Sequence, residues 1–205
     1  MPDPAASAAA RMPVGTKAPP TQRRLSAEEG VWVFIGGDMA MFALFFNVYA
    51  HYRALAPELF NASQATLDAR IGLVNMLLLL TGSWFIVQAL RAVRSHERAI
   101  ARRWIAAGMA CGAGFSVLKV LEYTLKVRDG VTLVTNDFFM YYFMFTGVHF
   151  VHLLLGMAVL MYLFAMARST DWAEKDVRLF EGGFAYWHMV DLLWIVLFPL
   201  IYLVR

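Results

Sequence analysis

The sequence predicts an all-α integral membrane protein: a bundle of five transmembrane helices with a cytoplasmic N-terminus and an external C-terminus. Three observations predict this fold class, namely the composition, five long apolar runs, and an uneven distribution of charge between the loops. Hydrophobic residues make up 60% of the 205 residues and charged residues only 16%, whereas a soluble domain carries roughly a quarter charged residues. Most side chains therefore face lipid or one another.

Each apolar run is long enough to cross a hydrocarbon core of about 30 Å at about 1.5 Å per helical residue. Buried strands are excluded, because only a helix satisfies its backbone groups within one lipid-facing segment. A disordered basic tail is predicted for residues 1–27, with a mitochondrial-type presequence as the alternative. The five-helix domain then covers residues 28–205, with spans at about 31–52, 71–90, 104–125, 138–167 and 182–204.

The orientation is predicted from the positive charges of the loops. Cytoplasmic loops of membrane proteins carry an excess of Lys and Arg. With the N-terminus inside, twelve such residues lie inside and five outside. The inside set is Arg11, Lys17, Arg23, Arg24, Arg91, Arg94, Arg98, Arg102, Arg103, Arg168, Lys175 and Arg178, and the outside set is Arg53, Arg70, Lys126, Arg128 and Arg205.

Several classes of function are excluded by composition. Cys111 is the only cysteine, so neither an internal disulfide nor a cysteine metal cluster can form. The net charge of +3 is modest, and the sequence shows no basic patch of the kind that binds nucleic acid. The predicted environment is membrane lipid, and nucleic acid is not expected as a partner.

Ionisable residues within the predicted spans need a partner or a function, because their burial in hydrocarbon is costly. Asp38 and Asp191 each lie about 12 Å into a span from the inner side. Both are expected to share an inner layer with His188 and His152. Lys119 and Glu122 lie in the outer half and are three residues apart on one helix face, which predicts a local ion pair.

The histidines allow three interpretations. His149 and His152 are three apart, so both can point into the bundle, and with His188 they could form a three-histidine metal site or supply axial haem ligands. The third interpretation is a hydrogen-bonded structural role. It is favoured because no carboxylate stands within one turn of the pair in the sequence. His51 and His96 are expected at the surface.

Asp38 has two possible roles, as a proton-relay carboxyl or as a buried acid held by a hydroxyl or histidine. Hydrocarbon disfavours the charged form of a carboxyl, so Asp38 is expected to be largely neutral. The structural role is favoured over the relay.

Two further patterns concern packing. Small residues four apart in the third span, Ala106-x3-Ala110-x3-Gly114 and Gly108-x3-Gly112, predict a helix-packing face. Aromatic residues gather at membrane interfaces, and several of the aromatics in this chain lie near predicted span ends. The set considered is Trp32, Trp84, Trp104, Trp187, Trp194, Tyr141 and Tyr142.

Four segments together resemble one family. They are Trp32-Val33-Phe34-Ile35-Gly36-Gly37-Asp38-Met39, Leu121-Glu122-Tyr123 before Asp129-Gly130, Thr146-Gly147-Val148-His149-Phe150-Val151-His152, and Tyr186-Trp187-His188-Met189-Val190-Asp191. In this order they resemble subunit III of the haem-copper oxidases, over residues 30–205. Full-length members have two further spans before these, and usually Glu where this chain has Asp38.

The resemblance implies a cytochrome c oxidase subunit III-like bundle that acts as a non-catalytic accessory subunit beside a catalytic haem-copper subunit. It implies no haem or metal cofactor, with phospholipid as the one expected ligand, and a bacterial inner-membrane location. Asp38, Glu122, His149, His152, His188 and Asp191 would form its polar interior. Two segments, 138–143 and 193–200, are most similar to the five-helix NorE type associated with nitric oxide reductase and denitrification. A true oxidase subunit III and a stand-alone transporter are the alternatives.

Overall fold

The computed structural model describes residues 27–168 and 172–204. The tail predicted for residues 1–27 lies outside the described residues, except for Ala27. Within the described ranges the protein is helical, and five of its helices are long and apolar enough to cross a membrane. The prediction of five spans in an all-α fold is thus confirmed.

The helices are longer than the apolar runs that predict them. They are α1 (Ala27–Leu55), α2 (Pro57–Gln64), α3 (Ala69–Arg94), α4 (Arg98–Arg128), α5 (Asp137–Met166) and α6 (Glu174–Phe198), and a π-helical turn, Pro199–Leu203, continues α6. The extra residues at the helix ends are mostly polar or charged, so the helices continue beyond the hydrocarbon. Following the predicted orientation, the end that carries the α3–α4 turn is called the inner end and the opposite end the outer end.

Helix α2 was not predicted, because its eight residues are too few and too polar for a span. Pro57 begins it, a position where the missing N–H of proline costs nothing. It buries Phe60 against the rings of Tyr49 and Phe138, with centroids 5.5 and 5.8 Å apart. Asn136 at the start of α5 donates to the Ser63 hydroxyl at 2.9 Å. The short helix therefore closes the outer end of the bundle.

In the predicted small-residue face of α4, the close helix approaches occur at Gly108 and Gly112, while Gly114 makes only ordinary contacts with Leu78. A Cβ on Gly108 would lie 2.8 Å from Ile86 Cδ1, and one on Gly112 would lie 2.6 Å from Met157 Sδ. These approaches let α4 pack closely on α3 and α5. Ala106 and Ala110 are exposed instead, because their stripe is turned away from the bundle.

Helix α6 is the most buried helix and α1 the least. Buried residues make up 61% of the most apolar stretch of α6 but only 11% of that of α1. Trp187, Trp194 and Tyr142 are fully buried within the bundle. Tryptophan and tyrosine here fill the core around α6.

Candidate functional site

An ion pair lies buried in the outer half of the bundle. Lys119 Nζ is 3.0 Å from Glu122 Oε2, and the two side chains are 0% and 5% exposed. Their spacing of three residues on α4 brings them to one face. The predicted local pair is confirmed, and it lies far deeper than a surface pair.

Two tyrosines complete the hydrogen bonding of this pair. Tyr142 and Tyr202 accept from Lys119 Nζ at 3.4 and 3.0 Å, and both donate to Glu122 Oε1, at 2.8 and 2.6 Å. The ammonium thereby uses all three of its N–H donors. Tyr202 reaches the pair from the π-helical turn that begins at Pro199.

Four aromatic rings surround the Lys119 ammonium. The centroids of Tyr142, Trp194, Tyr123 and Tyr202 lie 4.9, 5.1, 5.2 and 5.6 Å from Nζ. Each distance is within the range of a cation–π interaction. We call Lys119, Glu122, Tyr142, Tyr202 and Trp194 the outer cluster. It joins α4, α5, α6 and the terminal turn.

Sequence reasoning missed the tyrosines of the outer cluster. Tyr142 was noted only as one of several aromatics, and Tyr202 was not singled out. The available signal was the buried ion pair itself, since a lysine and a carboxylate in hydrocarbon need further hydrogen bonds.

The first carboxyl of the inner half, Asp38, pairs with a histidine of another helix. Asp38 Oδ1 on α1 lies 3.1 Å from His152 Nε2 on α5. The other ring nitrogen, Nδ1, is 2.8 Å from the Val148 carbonyl oxygen. A carbonyl only accepts, so Nδ1 carries a hydrogen. One proton must then lie between Nε2 and Asp38, on either atom, and the pair is neutral overall.

The second carboxyl of the inner half, Asp191, lies near its own histidine. His188 Nδ1 is 3.6 Å from Asp191 Oδ2 and 2.6 Å from the Ser83 hydroxyl oxygen on α3. The side chain of His188 is 38% exposed, which is more than expected for a member of the polar interior. The structure thus places the predicted inner-layer residues in two pairs, each carboxyl with a different histidine.

His149 lies apart from both pairs. It is fully buried, and its ring packs against Phe115 and Trp194 with centroids 5.7 and 5.1 Å apart. Within the described part of the chain neither ring nitrogen has a hydrogen-bond partner. The expectation of a hydrogen-bonded histidine holds for His152 and His188, whereas His149 is held by aromatic packing.

The described residues contain no group of three His, Cys, Asp or Glu side chains that could hold a metal ion. The prediction against a metal site relied on the lack of a carboxylate near His149 and His152 in the sequence. That argument fails for His152, because Asp38 contacts it from another helix. The predicted absence of haem and metal stays a prediction. His51 and His96 are exposed as expected.

Comparison of the sequence with known proteins identifies a family. The sequence profile described as "Cytochrome c oxidase subunit III" matches residues 14–204. Cytochrome c oxidase subunit 3 of a Synechocystis strain is 28% identical over 175 residues, covering 85% of this chain and 74% of that protein. The subunit 3 of Bacillus strain PS3 is 28% identical over 181 residues, covering 85% and 84%. "Heme-copper oxidase subunit I+III" of Aeropyrum pernix is 25% identical, covering 85% of this chain and 22% of that longer protein.

The chain belongs to the cytochrome c oxidase subunit III family, because the profile covers nearly all of it. With five apolar helices it is a multi-pass membrane protein. These relatives are named as oxidase subunits, so the NorE-type assignment gains no support from them and stays a prediction.

Proposed function

We propose that this protein is an accessory subunit of a haem-copper respiratory enzyme, packed beside the catalytic subunit I in a bacterial inner membrane. The family match over residues 14–204 carries the proposal. The relatives from Synechocystis and Bacillus strain PS3 are bacterial oxidase subunits. In the Aeropyrum pernix relative, the name "I+III" joins the two subunits in one chain, which supports a position next to subunit I.

The polar residues support an accessory role rather than catalysis. Both ring nitrogens of His152 already have partners, the Val148 carbonyl and Asp38. Nδ1 of His188 lies within hydrogen-bond distance of Ser83. In the outer cluster the Lys119 ammonium and both oxygens of Glu122 are satisfied internally. These groups hold the bundle together, whereas the ring of His149 and the carboxyl of Asp191 have no hydrogen-bond partner among the described residues. We still expect neither haem nor metal, because no third ligand lies with them within those residues.

The subunit is expected to preserve the activity of its partner during turnover, as the family resemblance implies. The Asp38–His152 pair is the part of the chain best suited to exchange a proton, because it shares one proton between two basic atoms. A purely structural role for this pair is the alternative, and the variant described in the Discussion separates the two.

The catalytic partner is either an oxygen-reducing oxidase or a nitric oxide reductase. The named relatives favour an oxidase. Similarity of segments 138–143 and 193–200 to the NorE type favours the reductase. A stand-alone transporter is disfavoured, because the sequence shows no visible inverted repeat and no span broken by an internal Gly-Pro pair.

The orientation and the bound lipid are part of the proposal. Twelve basic residues on the inner side against five outside support a cytoplasmic N-terminus. A groove of about 670 Å³ runs between α1, α5 and α6, with Gly30, Ala158 and Gly182 among its lining residues. Its apolar walls suit the acyl chain of the phospholipid that the family resemblance implies.

The experiment compares membranes from cells with and without the protein. Consumption of oxygen and of nitric oxide is followed through prolonged turnover. We expect one of the two activities to start at a normal rate without the protein and then decline faster than in its presence. The activity that declines identifies the partner. Complete loss of the initial rate, together with a haem or metal on the purified chain, would refute an accessory role.

A further inference from the structure

A pocket at the inner end of the bundle combines positive charge with an aromatic wall. It has a volume of about 410 Å³ and is lined by Ala99, Arg102, Arg103, Ala106 and Phe164. We call it the basic pocket. It lies between the first turns of α4 and the last turns of α5, on residues outside the groove described above.

Two guanidinium groups share the ring of Phe164. The Arg102 Cζ lies 4.9 Å and the Arg168 Cζ 5.9 Å from the ring centroid. The face of an aromatic ring attracts positive charge, so Phe164 helps to hold the Arg102 guanidinium in the lining of the basic pocket. Arg102 and Arg103 line the same pocket, so an anion bound there would be attracted by both positive charges.

Within the part of the chain that the structure describes, these arginines have no carboxylate partner. Among the described residues, none of Arg102, Arg103 and Arg168 takes part in a salt bridge, while Arg94 pairs with Glu181 at 2.7 Å on the same end. The Nε of Arg102 is buried, and within residues 27–168 and 172–204 no hydrogen-bond acceptor lies near it. A buried donor of this kind needs a partner.

Neighbouring aromatic rings suit a position of the basic pocket near the lipid headgroups. Trp104 follows Arg103 directly and packs on Trp84 and Phe85, each with centroids 5.6 Å apart. Tryptophan is enriched at the membrane–water interface, and Trp84 is 53% exposed on the surface of the bundle. From the pocket, exposed Ala106 and Ala110 lead along one face of α4 toward the bilayer centre. Small side chains leave room there for an acyl chain.

We propose that the basic pocket binds the phosphate of an anionic phospholipid, whose acyl chain lies along the Ala106–Ala110 face of α4. Arg102 and Arg103 donate to the phosphate oxygens, since the planar guanidinium fork matches phosphate. Basic pockets between transmembrane helices on the cytoplasmic side are suited to anionic headgroups. This inference goes beyond the proposed function and does not depend on which catalytic subunit is the partner.

The experiment titrates the full-length chain in mild detergent with short-chain phosphatidylglycerol and counts bound lipid by native mass spectrometry. Phosphatidylcholine of the same chain length is titrated in parallel. Replacing both arginines, Arg102→Gln with Arg103→Gln, is expected to weaken phosphatidylglycerol binding about 25-fold, because each arginine contributes about fivefold. Arg128→Gln at the outer end of α4 makes the same kind of change and should leave the affinity within about twofold.

Three results would overturn the proposal. Unchanged affinity in the double variant would remove the basic pocket from lipid binding. Equal loss in Arg128→Gln would show attraction by net charge alone. Displacement of the lipid by an equal concentration of inorganic phosphate would show a site for free anions. If the double variant does not fold, Phe164→Leu tests the site with both charges in place. We expect about threefold weaker binding, and unchanged binding would refute the proposal.

Discussion

The outer cluster makes a quantitative prediction about the stability of the bundle. In Glu122→Gln the carboxylate is replaced by an amide of nearly the same size, and the Lys119 ammonium stays 0% exposed without a charged partner. Removing one member of a buried ion pair costs about 3–5 kcal/mol. The amide oxygen still accepts hydrogen bonds, so a loss near about 3 kcal/mol is expected.

A double variant separates the ion pair from the general effect of mutating the core. Lys119→Met with Glu122→Leu removes both charges together and keeps similar volumes. Apolar replacement of a whole buried pair is often neutral, so the double variant should lose less stability than Glu122→Gln alone. Together with the single variants Lys119→Met and Glu122→Leu, the double variant gives the coupling between the two side chains, which is its loss of stability minus the sum of the two single losses.

The matched control is an exposed pair on the inner side. Arg94 and Glu181 are 2.7 Å apart, with side chains 62% and 31% exposed. Exposed pairs contribute about 0–1 kcal/mol, so Arg94→Gln should change the free energy of unfolding by less than about 1 kcal/mol.

The assay is unfolding in mixed micelles of a mild detergent and dodecyl sulfate, followed by the near-ultraviolet circular dichroism of the tyrosines and tryptophans in the outer cluster. A Glu122→Gln variant as stable as the wild type would refute the reasoning. So would a double variant that loses at least the sum of the two single losses.

The remaining predictions concern the hydrogen bonds, the inner carboxyl, the topology and the metal. Tyr202→Phe removes a donor to Glu122 at 2.6 Å, so the same assay should show a loss of about 1.5–3 kcal/mol. Asp38 should react with a hydrophobic carbodiimide before the loop acids, and Asp38→Asn should assemble with its partner and leave turnover unchanged, because an amide can donate to His152 Nε2. A topology reporter after Arg205 should be active only outside the cytoplasm, and one in the α3–α4 turn only inside. Elemental and optical analysis of the purified chain should find no stoichiometric haem, copper or zinc.

Each of these has a result that contradicts it. Full stability of Tyr202→Phe would show that its hydroxyl contributes nothing to the pair. Normal assembly of Asp38→Asn with a clear fall in sustained turnover would assign Asp38 a role in proton exchange. The opposite reporter pattern would reverse the orientation. A metal near one per chain that is lost in His149→Ala would support an enzyme.

The number of spans could be predicted because lipid imposes one strong constraint: a run of about 20 apolar residues must be a helix. The ends of the helices could not, since lipid does not restrict residues beyond the hydrocarbon. Helix α2 was missed because Pro57–Gln64 carries no span signal and depends on the contact of Phe60 with Tyr49 and Phe138.

The candidate site was predictable where the partners are close in sequence. Lys119 and Glu122 lie on one helix face, so their pair follows from spacing alone. The pairing of Asp38 on α1 with His152 on α5 depends on which helices lie next to each other. The order of the spans along the sequence does not determine that arrangement. Burial of Trp187 and Trp194 follows from the central position of α6, and no local pattern distinguishes a core tryptophan from an interfacial one.

The most direct test of the central claim is the composition of the complex isolated through a tag on this chain in mild detergent. We predict one catalytic haem-copper subunit I for each copy of the chain, measured by quantitative mass spectrometry, with the haem absorbance of the sample assigned to that subunit. Isolation of the chain without any haem-copper subunit, under conditions in which its own fold stays intact, would contradict the account.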